Sequence, residues 1–307
     1  MAELITGHEA IKVEISVPKE FNFAQNWGYL ARWANECMLH VADTKIYKLM
    51  PYKEGPLLLE VSEGCNGAIA VVARGQASPA DLDAEAAVIR YVREWFDLDT
   101  DLAPFYALAQ NDALLRRVVD QYHGLRNMGI PDLFEALCWA VLGQQINLTF
   151  AYTLKRRFVE SFGEHTEWNG RTHWLFPTPE RIAALEVDDL TALQISKRRA
   201  EYLIGIAKAM AAGTLSKELL LETGNCSDAE KVLTQIRGIG PWTANYALMH
   251  CLRFPSAFPI ADVGLHNAIK HLMGMENKPT IEVIRELSSG WTNWEAYATF
   301  YLWRALY

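Results

Sequence analysis

Hydrophobic and polar residues follow a different period in the first 80 residues than in the rest of the chain. In four short stretches before residue 76 they alternate or form brief apolar runs, which is typical of β-strands. From Asp83 onward apolar residues recur every three to four positions, which predicts amphipathic helices. The predicted strands are IKVEISV (11–17), KIYKLMPY (45–52), GPLLLEVSEG (55–64) and GAIAVVARG (67–75), with a helix, NWGYLARWANECM (26–38), between the first two.

This change of period predicts an α+β chain in two parts. Residues 1–82 form a small unit with an antiparallel sheet, and residues 83–307 form a mainly α-helical region without further strands. The boundary falls in QASPADLD (76–83), where Ser78 and Pro79 interrupt the last strand pattern. With 307 residues and 50% hydrophobic composition, the chain is long enough to bury a sizeable core.

Composition predicts a cytoplasmic protein. The N-terminal stretch MAELITGHEAIKVEI carries charges where a signal peptide has an apolar run, and no apolar stretch is long enough to span a bilayer. The five cysteines form no CxxC pair, so neither a disulfide framework nor a zinc or iron–sulfur site is indicated. We therefore expect no membrane partner.

Net charge by itself disfavours a nucleic-acid partner, because 29 basic and 37 acidic residues give −8, whereas DNA-binding domains are usually basic. Most of the acidic excess lies in residues 1–110, which hold 9 basic and 16 acidic residues. The remainder is nearly neutral and contains basic clusters that could contact phosphate, although each is more often a solvated helix face. These clusters are Arg116-Arg117, Lys155-Arg156-Arg157 and Lys197-Arg198-Arg199.

The stretch SDAEKVLTQIRGIGPWTANYALMHC (227–251) predicts two helices joined by a tight turn. Ser227 and Glu230 match an S-x-x-E capping box for the first helix. The glycines of Gly238-Ile239-Gly240 permit the reversal, and Pro241 stands at the favoured first position of the second helix. Such a turn exposes backbone N–H groups at a helix N-terminus, which can bind phosphate without a basic side chain. The alternative is that the turn only connects two core helices.

A loop with two prolines and then an amphipathic helix follow in FPSAFPIADVGLHNAIKHLMG (254–274). Asp262 lies at their junction, where the simplest role for an aspartate is that of N-cap. The glycine-containing turn, the aromatic-rich second helix and this aspartate together form a more specific combination than any one of them.

This combination resembles the helix-hairpin-helix DNA glycosylase superfamily, whose motif L/I-x-G-I/V-G precedes a loop and a catalytic Asp. Here the motif is Ile236-Arg237-Gly238-Ile239-Gly240, followed by Asp262. Within the superfamily the chain is similar to the bacterial 3-methyladenine DNA glycosylases II, including LFEALCWAVLGQQIN (133–147) and WTNWEAYATFYLWRALY (291–307). The resemblance implies two helical subdomains within residues 83–307 with the active-site cleft between them.

Two departures from other branches of the superfamily narrow the expected activity. The lyase branch carries a Lys two residues after the second hairpin glycine, whose amine attacks the sugar; this chain has Trp242 there. Other branches bind an iron–sulfur cluster through four cysteines near the C-terminus. This chain has no cysteine after Cys251. The resemblance therefore implies a monofunctional hydrolase that removes alkylated bases of the 3-methyladenine and 7-methylguanine type. Two alternatives stay open: a bifunctional oxidised-purine glycosylase/lyase and a non-catalytic duplex DNA-binding module.

The resemblance also assigns roles to single residues. Asp262 is the expected catalytic carboxylate, which stabilises an oxocarbenium-like sugar or orients the attacking water. A cationic alkylated base suits a pocket of aromatic rings, although most aromatic residues in this chain are equally explained as core. The expected pocket residues are Trp242, Tyr246, Trp294 and Tyr29.

The expected partner is double-stranded DNA that contains a damaged base, bound by a monomer that is nucleoid-associated in a bacterial cell when it acts. We expect the DNA backbone to be contacted by Gly238, Ile239 and Gly240. Gln145, flanked by Gln144, corresponds to the family's wedge, the residue that fills the gap left by the flipped nucleotide. The alternative is that both glutamines only cap a helix over 131–144. No cofactor or essential metal is expected, although the hairpin carbonyls can hold a monovalent cation.

Overall fold

Most strands lie in the first 75 residues and most helices follow them, which confirms the α+β fold class. The computed structural model describes residues 3–4, 10–32, 35–78 and 80–306. The strands are β1 (Glu3–Leu4), β2 (Ile11–Ile15), β3 (His40–Ala42), β4 (Lys45–Met50), β5 (Leu57–Glu63), β6 (Ile69–Arg74), β7 (His165–Trp168) and β8 (Arg171–Trp174). The helices are α1 (Phe23–Ala31), α2 (Leu82–Trp95), α3 (Ala103–Gln110), α4 (Leu115–Gln121), α5 (Leu133–Gly143), α6 (Leu148–Phe162), α7 (Pro179–Ala183), α8 (Val187–Thr191), α9 (Lys197–Ala211), α10 (Lys217–Glu222), α11 (Cys226–Thr234), α12 (Pro241–His250), α13 (Val263–Met273), α14 (Ile281–Leu287) and α15 (Glu295–Arg304).

The N-terminal sheet is antiparallel, as the sequence predicts, with the order β2-β6-β5-β4-β3. Its register follows the apolar alternation, because a slip by one residue would turn every buried side chain of a strand to the other face. Apolar residues therefore face each other across β2 and β6 and are buried. These pairs are Ile11–Ala73, Val13–Val71 and Ile15–Ile69.

The expectation that no strands follow residue 83 is wrong. β7 and β8 form a hairpin around Asn169 and Gly170, whose φ values of 49° and 70° are those of a type I′ turn. β1 pairs with β7 in parallel, which gives a three-stranded sheet with the order β1-β7-β8. The Asn-Gly dipeptide between two short runs was a usable sequence signal for this hairpin.

The first helix is shifted from its predicted position. Residues 26–38 were expected to be helical, but α1 begins at Phe23 because the Asn22 side chain accepts a hydrogen bond from the Gln25 amide at 3.1 Å. Asn26, expected as the first residue of this helix, lies inside α1. Its side chain is fully buried and donates to the Gly124 carbonyl at 3.0 Å. Residues 33 and 34 of the expected helix, and Pro79 of the expected boundary, lie outside the described residues. The short strand β3 follows where the helix was expected to end.

The chain groups into two compact units that interleave along the sequence. Unit 1 contains both sheets and helices α1, α2 and α6 to α9. Unit 2 contains α3, α4 and α10 to α15, and α5 is divided between the two units after residue 141. Among the helices of the described segments, none is both long and apolar enough to cross a membrane. Unit 1 consists of residues 1–99, 124–128 and 142–211, and unit 2 of residues 100–123, 129–141 and 212–307.

Candidate active site

The first helix of the hairpin starts two residues before its expected start. Asn225 is the N-cap of α11, and its side-chain oxygen accepts from the Asp228 amide at 2.9 Å. The predicted capping box of Ser227 and Glu230 is therefore wrong. The burial of Cys226 and Ala229 fixes which face of α11 meets the core, and Ser227 already lies inside the helix.

The turn between α11 and α12 has the predicted form. Gly238 has a φ of 98°, a conformation that is costly for any residue with a Cβ. The Ile239 amide donates to the Ile236 carbonyl at 3.0 Å, and the Ile239 side chain is buried. Gly240 is the N-cap of α12 and Pro241 is its first residue. The Ile239 side chain thus anchors the turn in unit 2, and the two glycines on either side of it present backbone without side chains.

Gly240 leaves open surface at the N-terminus of α12. A Cβ built on this residue would meet no atom within 4 Å, so the packing of unit 2 does not require a glycine. Its amide donates to no acceptor among the described residues, and the first amides of a helix have no acceptor within the helix itself. The surface is therefore suited to close approach of an anionic group.

Asp262 is the N-cap of α13, as the simplest sequence interpretation predicts, and it also receives two side-chain donors. Oδ1 accepts from the Leu265 amide at 2.7 Å and from the Trp303 indole N–H at 2.8 Å. Oδ2 accepts from the Trp242 indole N–H at 2.9 Å. Asp262 is only half-buried. Three N–H donors fix the orientation of a carboxylate that keeps access to solvent.

An aromatic circuit joins the two tryptophans that bind Asp262. Ring centroids lie 5.8 Å apart for Trp242 and Tyr246, 4.5 Å for Tyr246 and His250, and 5.9 Å for His250 and Trp303. His250 is buried, with its ring nearly parallel to that of Trp303. The circuit restricts both indoles, so their N–H groups stay directed at the carboxylate.

Trp303 was not among the predicted site residues, and Gly264 explains how close it comes. A Cβ on Gly264 would lie 2.8 Å from Asp262 Oδ1 and 3.1 Å from Trp303 Nε1. Both distances are shorter than ordinary carbon contacts. The first turn of α13 therefore admits the indole only because residue 264 has no side chain.

The loop before Asp262 is tied to α12 by a second unpredicted residue. Buried Asn245 accepts from the Phe258 amide at 2.8 Å and donates to the Pro241 carbonyl at 2.9 Å. Nearer the aspartate, the His266 ring bonds the Ile260 carbonyl at 2.9 Å. These bonds hold the irregular loop at a fixed distance from the hairpin.

A cavity of about 410 Å³ lies between the start of α12 and this loop, with walls that include Trp242, Asn245 and Phe258. Cys226 also lines it, and burial raises the pKa of this thiol to about 11. The thiol is therefore protonated at neutral pH and is not a nucleophile.

Two further predicted pocket residues, Trp294 and Tyr29, belong to different units. Trp294 packs on Phe105 and Tyr297, with ring centroids 5.7 and 6.0 Å away, and within the described chain its side chain forms no hydrogen bond with Asp262. Tyr29 belongs to unit 1, where the Arg32 guanidinium covers its ring at 3.8 Å. Trp303, rather than Trp294, is thus the C-terminal tryptophan at the carboxylate.

Gln144 and Gln145 follow α5 and also belong to unit 1. The Gln144 carbonyl accepts from the Arg199 guanidinium. Gln145 is exposed and has a φ of 54°, which is uncommon for a residue other than glycine. Backbone of this kind is often found where a side chain has a functional task.

Several side chains of the clusters at 155–157 and 197–199 already bind other residues of unit 1. Lys155 is buried and paired with Glu36, and Arg157 bonds Gln194. Arg198 bonds the Tyr202 hydroxyl. The backbone of the α11–α12 turn therefore offers a better phosphate site than these side chains do.

Two family models match the chain. The HhH-GPD superfamily base excision DNA repair protein model covers residues 138–293, and the 8-oxoguanine DNA glycosylase N-terminal domain model covers residues 11–137. The chain is 51% identical to the DNA-3-methyladenine glycosylase of Bacillus subtilis (strain 168), over 99% of this chain and 100% of that protein. It is 33% identical to DNA-3-methyladenine glycosylase 2 of Escherichia coli (strain K12), over 59% of this chain and 60% of that protein.

Among solved structures, the chain is similar to a 3-methyladenine DNA-glycosylase from Archaeoglobus fulgidus, with a TM-score of 0.79. That similarity covers 95% of this chain and 97% of the other, and at 23% identity it concerns the fold. The superfamily model covers half of the chain and includes both the α11–α12 turn and Asp262, which confirms the resemblance read from the sequence. The chain belongs to the HhH-GPD superfamily of base excision DNA repair proteins.

Proposed function

We propose that this protein is a monofunctional DNA glycosylase that removes alkylated bases of the 3-methyladenine and 7-methylguanine type from double-stranded DNA. The observation that carries the proposal is the Asp262 carboxylate, held by Trp242, Trp303 and the Leu265 amide and still open to solvent. The 51% identity to a DNA-3-methyladenine glycosylase over nearly the whole chain supports the same activity.

Duplex binding begins at the turn between α11 and α12. The open surface at Gly240 lets a phosphodiester approach the exposed amides at the N-terminus of α12. The helix dipole favours an anion at this end. This contact needs no basic side chain, which explains how a chain with a net charge of −8 can bind DNA.

The damaged nucleotide rotates out of the stack, because its glycosidic bond is unreachable inside a duplex. Gln145 fills the gap, and its exposure and positive φ support this role. Its amide can form hydrogen bonds with the base left without a partner. Gln144 supports the same loop through the bond that its carbonyl accepts from Arg199.

The flipped base is held mainly by aromatic faces. Alkylation at purine N3 or N7 makes the base cationic, and stacking on a desolvated aromatic ring contributes about 2 kcal/mol. Trp242 and Tyr246 stand one helical turn apart next to Asp262 and are the first candidates. Trp294 and Tyr29 remain proposed pocket residues on the family resemblance alone.

Hydrolysis then breaks the bond between C1′ and the base nitrogen. The electron pair of this bond goes to the cationic base, which leaves neutral and needs no general acid. Positive charge develops on the sugar, and the Asp262 carboxylate stabilises it. Water adds to C1′ and gives up its proton, for which Asp262 is the nearest proposed acceptor. A free sugar hydroxyl and an intact phosphodiester backbone remain.

We further propose that the enzyme acts as a monomer without an essential metal. In the turn, the Ile236 carbonyl accepts one hydrogen bond, from Ile239. A carbonyl oxygen has a second lone pair, so this part of the hairpin retains capacity for a monovalent cation.

A bifunctional oxidised-purine glycosylase/lyase is the second candidate, because the 8-oxoguanine DNA glycosylase N-terminal domain model matches residues 11–137. Trp242 opposes it, since the lyase branch has its nucleophilic Lys at this place. Borohydride trapping on DNA that contains an abasic site separates the two. A covalent protein–DNA adduct supports the lyase, and its absence supports hydrolysis.

The decisive experiment measures which free bases the protein releases from methylated duplex DNA, by chromatography, for the wild type and for Asp262→Asn. We expect 3-methyladenine and 7-methylguanine from the wild type. The variant should release these bases at least about 10²-fold more slowly while binding duplex DNA as before. Undiminished release by the variant would refute the catalytic role, and a wild type that binds DNA but releases nothing would point to the non-catalytic module.

A further inference from the structure

Unit 1 contains a polar cavity of about 450 Å³ that the proposed base excision does not use. One wall is the segment over residues 36–40 and another is β8, with Arg156 and Glu160 of α6 beside them. Every residue that lines it belongs to unit 1, whereas Asp262 and both tryptophans that bind it belong to unit 2.

Two imidazoles line this cavity without hydrogen bonds. His173 of β8 is only 6% exposed, and His40 of β3 is half-buried. The Tyr47 ring lies next to both, with centroid distances of 6.0 Å to His40 and 6.1 Å to His173. No hydrogen bond joins either imidazole to another residue of the described chain. The ring nitrogens of His173 are not shut off from solvent, so whatever fills the cavity is their natural hydrogen-bond partner.

Two guanidinium groups line the cavity, together with one carboxylate that has no cationic partner in the described chain. Arg171 is exposed, lines the cavity and forms no ion pair with the described residues. Arg156 brings a second guanidinium and donates to the Asn35 carbonyl at 3.2 Å. Of the two lining carboxylates, Glu36 already binds Lys155 through both oxygens at 3.1 Å. Glu160, and Glu167 of the neighbouring strand β7, then oppose an anion.

Burial and the neighbouring Arg171 charge favour the neutral form of both imidazoles. Burial lowers the pKa of His173 to about 4, assisted by His40 and Arg171, although Glu167 raises it. Burial and then Arg171 lower the pKa of His40. Both rings are therefore neutral at pH 7 and each keeps one N–H donor. No group of three or more His, Cys, Asp or Glu in the described chain could hold a metal ion, and the Arg171 charge repels cations.

We propose that this cavity is a binding site for a phosphate group, held by Arg171, His40 and His173. A guanidinium fork and two imidazole donors on different strands match the several oxygens of a phosphate better than they match a carboxylate. The cavity is many times larger than the roughly 30 Å³ that a water molecule occupies, so the phosphate can belong to a larger ligand. Trp174 and Met38 give that ligand apolar walls. The phosphate comes either from a DNA strand or from a free phosphorylated compound.

The first test uses inorganic phosphate and the full chain. Histidine pKa values are measured by NMR with and without phosphate, and the dissociation constant is taken from the same titration. Phosphate should raise the pKa of His40 and His173 by about one unit, because an adjacent anion favours the protonated ring. Binding should accordingly tighten as the pH falls.

Arg171→Gln should weaken phosphate binding about tenfold, a loss of about 1.4 kcal/mol. Arg171 is exposed and unpaired among the described residues, so the variant should keep the wild-type melting temperature. Arg181→Gln, an exposed arginine of unit 1 outside the cavity, is the matched control and should change nothing. Unchanged histidine pKa values in phosphate, or equal affinity of Arg171→Gln and the wild type, would overturn the proposal.

The second test identifies the source of the phosphate. Binding of undamaged duplex DNA is measured by fluorescence anisotropy at several salt concentrations. If a DNA strand supplies the phosphate, Arg171→Gln reduces the salt slope by about one. If a free compound supplies it, the variant leaves DNA affinity and slope unchanged while phosphate binding is still lost. Neither readout requires base release, so the proposal can fail without the glycosylase assignment failing, and the reverse.

Discussion

The indole N–H of Trp303 donates to Asp262 Oδ1 at 2.8 Å, across 41 positions of sequence. With the Trp242 bond to Oδ2 at 2.9 Å, it holds the carboxylate from two sides. An N-cap aspartate alone would be fixed only by its own helix. The two tryptophans convert a common helix-capping residue into an oriented charge.

We predict that Trp303→Phe lowers kcat more than it affects DNA binding. The ring can still stack on His250, but one charged hydrogen bond is lost, which costs about 1.5–3 kcal/mol. Single-turnover release of 3-methyladenine should fall by about tenfold to a hundredfold.

Trp291→Phe is the matched control for this variant. The fully buried Trp291 indole donates to Asp112 at 2.7 Å in the same unit. This substitution should lower the melting temperature and leave kcat of the folded protein unchanged. Equal kcat losses in the two variants would show that the Trp303 effect is only structural.

Gly264→Ala should reproduce the Trp303→Phe defect, because its Cβ would push the indole away from Asp262. The double variant should be little worse than either single variant, since both remove the same bond. Base-release kinetics on the three variants measure this. Gly205→Ala, in the interior of α9 with no atom within 4 Å of the added Cβ, should stabilise the fold by about 1 kcal/mol and leave activity intact. Additive losses from positions 264 and 303 would contradict the account.

Gly240→Ala should weaken duplex binding while the protein stays folded. The added Cβ meets no atom within 4 Å, so unfolding should change by no more than about 1 kcal/mol for the altered N-cap. The methyl group would instead stand in the path of an approaching phosphodiester. Anisotropy with a duplex probe measures the loss, and Gly290→Ala, equally open and in the same unit, is the control. Wild-type affinity of Gly240→Ala would remove the turn from the DNA interface.

Stability should depend on pH through His173. Its folded pKa is lowered from 6.5 to about 4, so the unfolded chain binds the proton more readily than the folded chain. The contribution is fully present above pH 6.5 and is lost as the pH falls toward 4, by about 2 kcal/mol between pH 7 and pH 5. Urea unfolding at both values checks this, in buffers without phosphate. His173→Gln should show a smaller decrease than the wild type, and an identical decrease would assign the dependence to other groups.

Local rules predicted much of the fold. The alternation in β2 and β6 gives their buried face, and the two glycines of the turn with Pro241 after it predict the hairpin that the structure shows. The misses were local as well. Asn225 rather than Ser227 caps α11, and the Asn169-Gly170 turn joins two strands that the apolar period did not predict. In both places a local sequence signal exists: Asn225 can accept the capping hydrogen bond, and Asn-Gly is favoured in a turn with positive φ.

The site was only partly predictable. The family resemblance implied roles for Asp262 and Trp242, and the structure joins the two by a hydrogen bond across 20 positions of sequence. Trp303 does not follow, since α15 carries aromatic residues on several faces and its sequence does not tell which of them reaches α13. Trp294, another expected pocket residue, packs on Phe105, and its contact with a flipped base stays a prediction.

The sequence alone determined the change from strands to helices, the turn at Gly238 and an aspartate at the start of α13, because each depends on a few neighbouring residues. Tertiary structure decided which indoles meet that aspartate and why residue 264 must lack a side chain. It also brought His40 and His173 to one cavity from positions far apart in the chain. The physical reason is that contacts between distant segments depend on how whole helices and sheets pack, and local propensity carries no information about that packing.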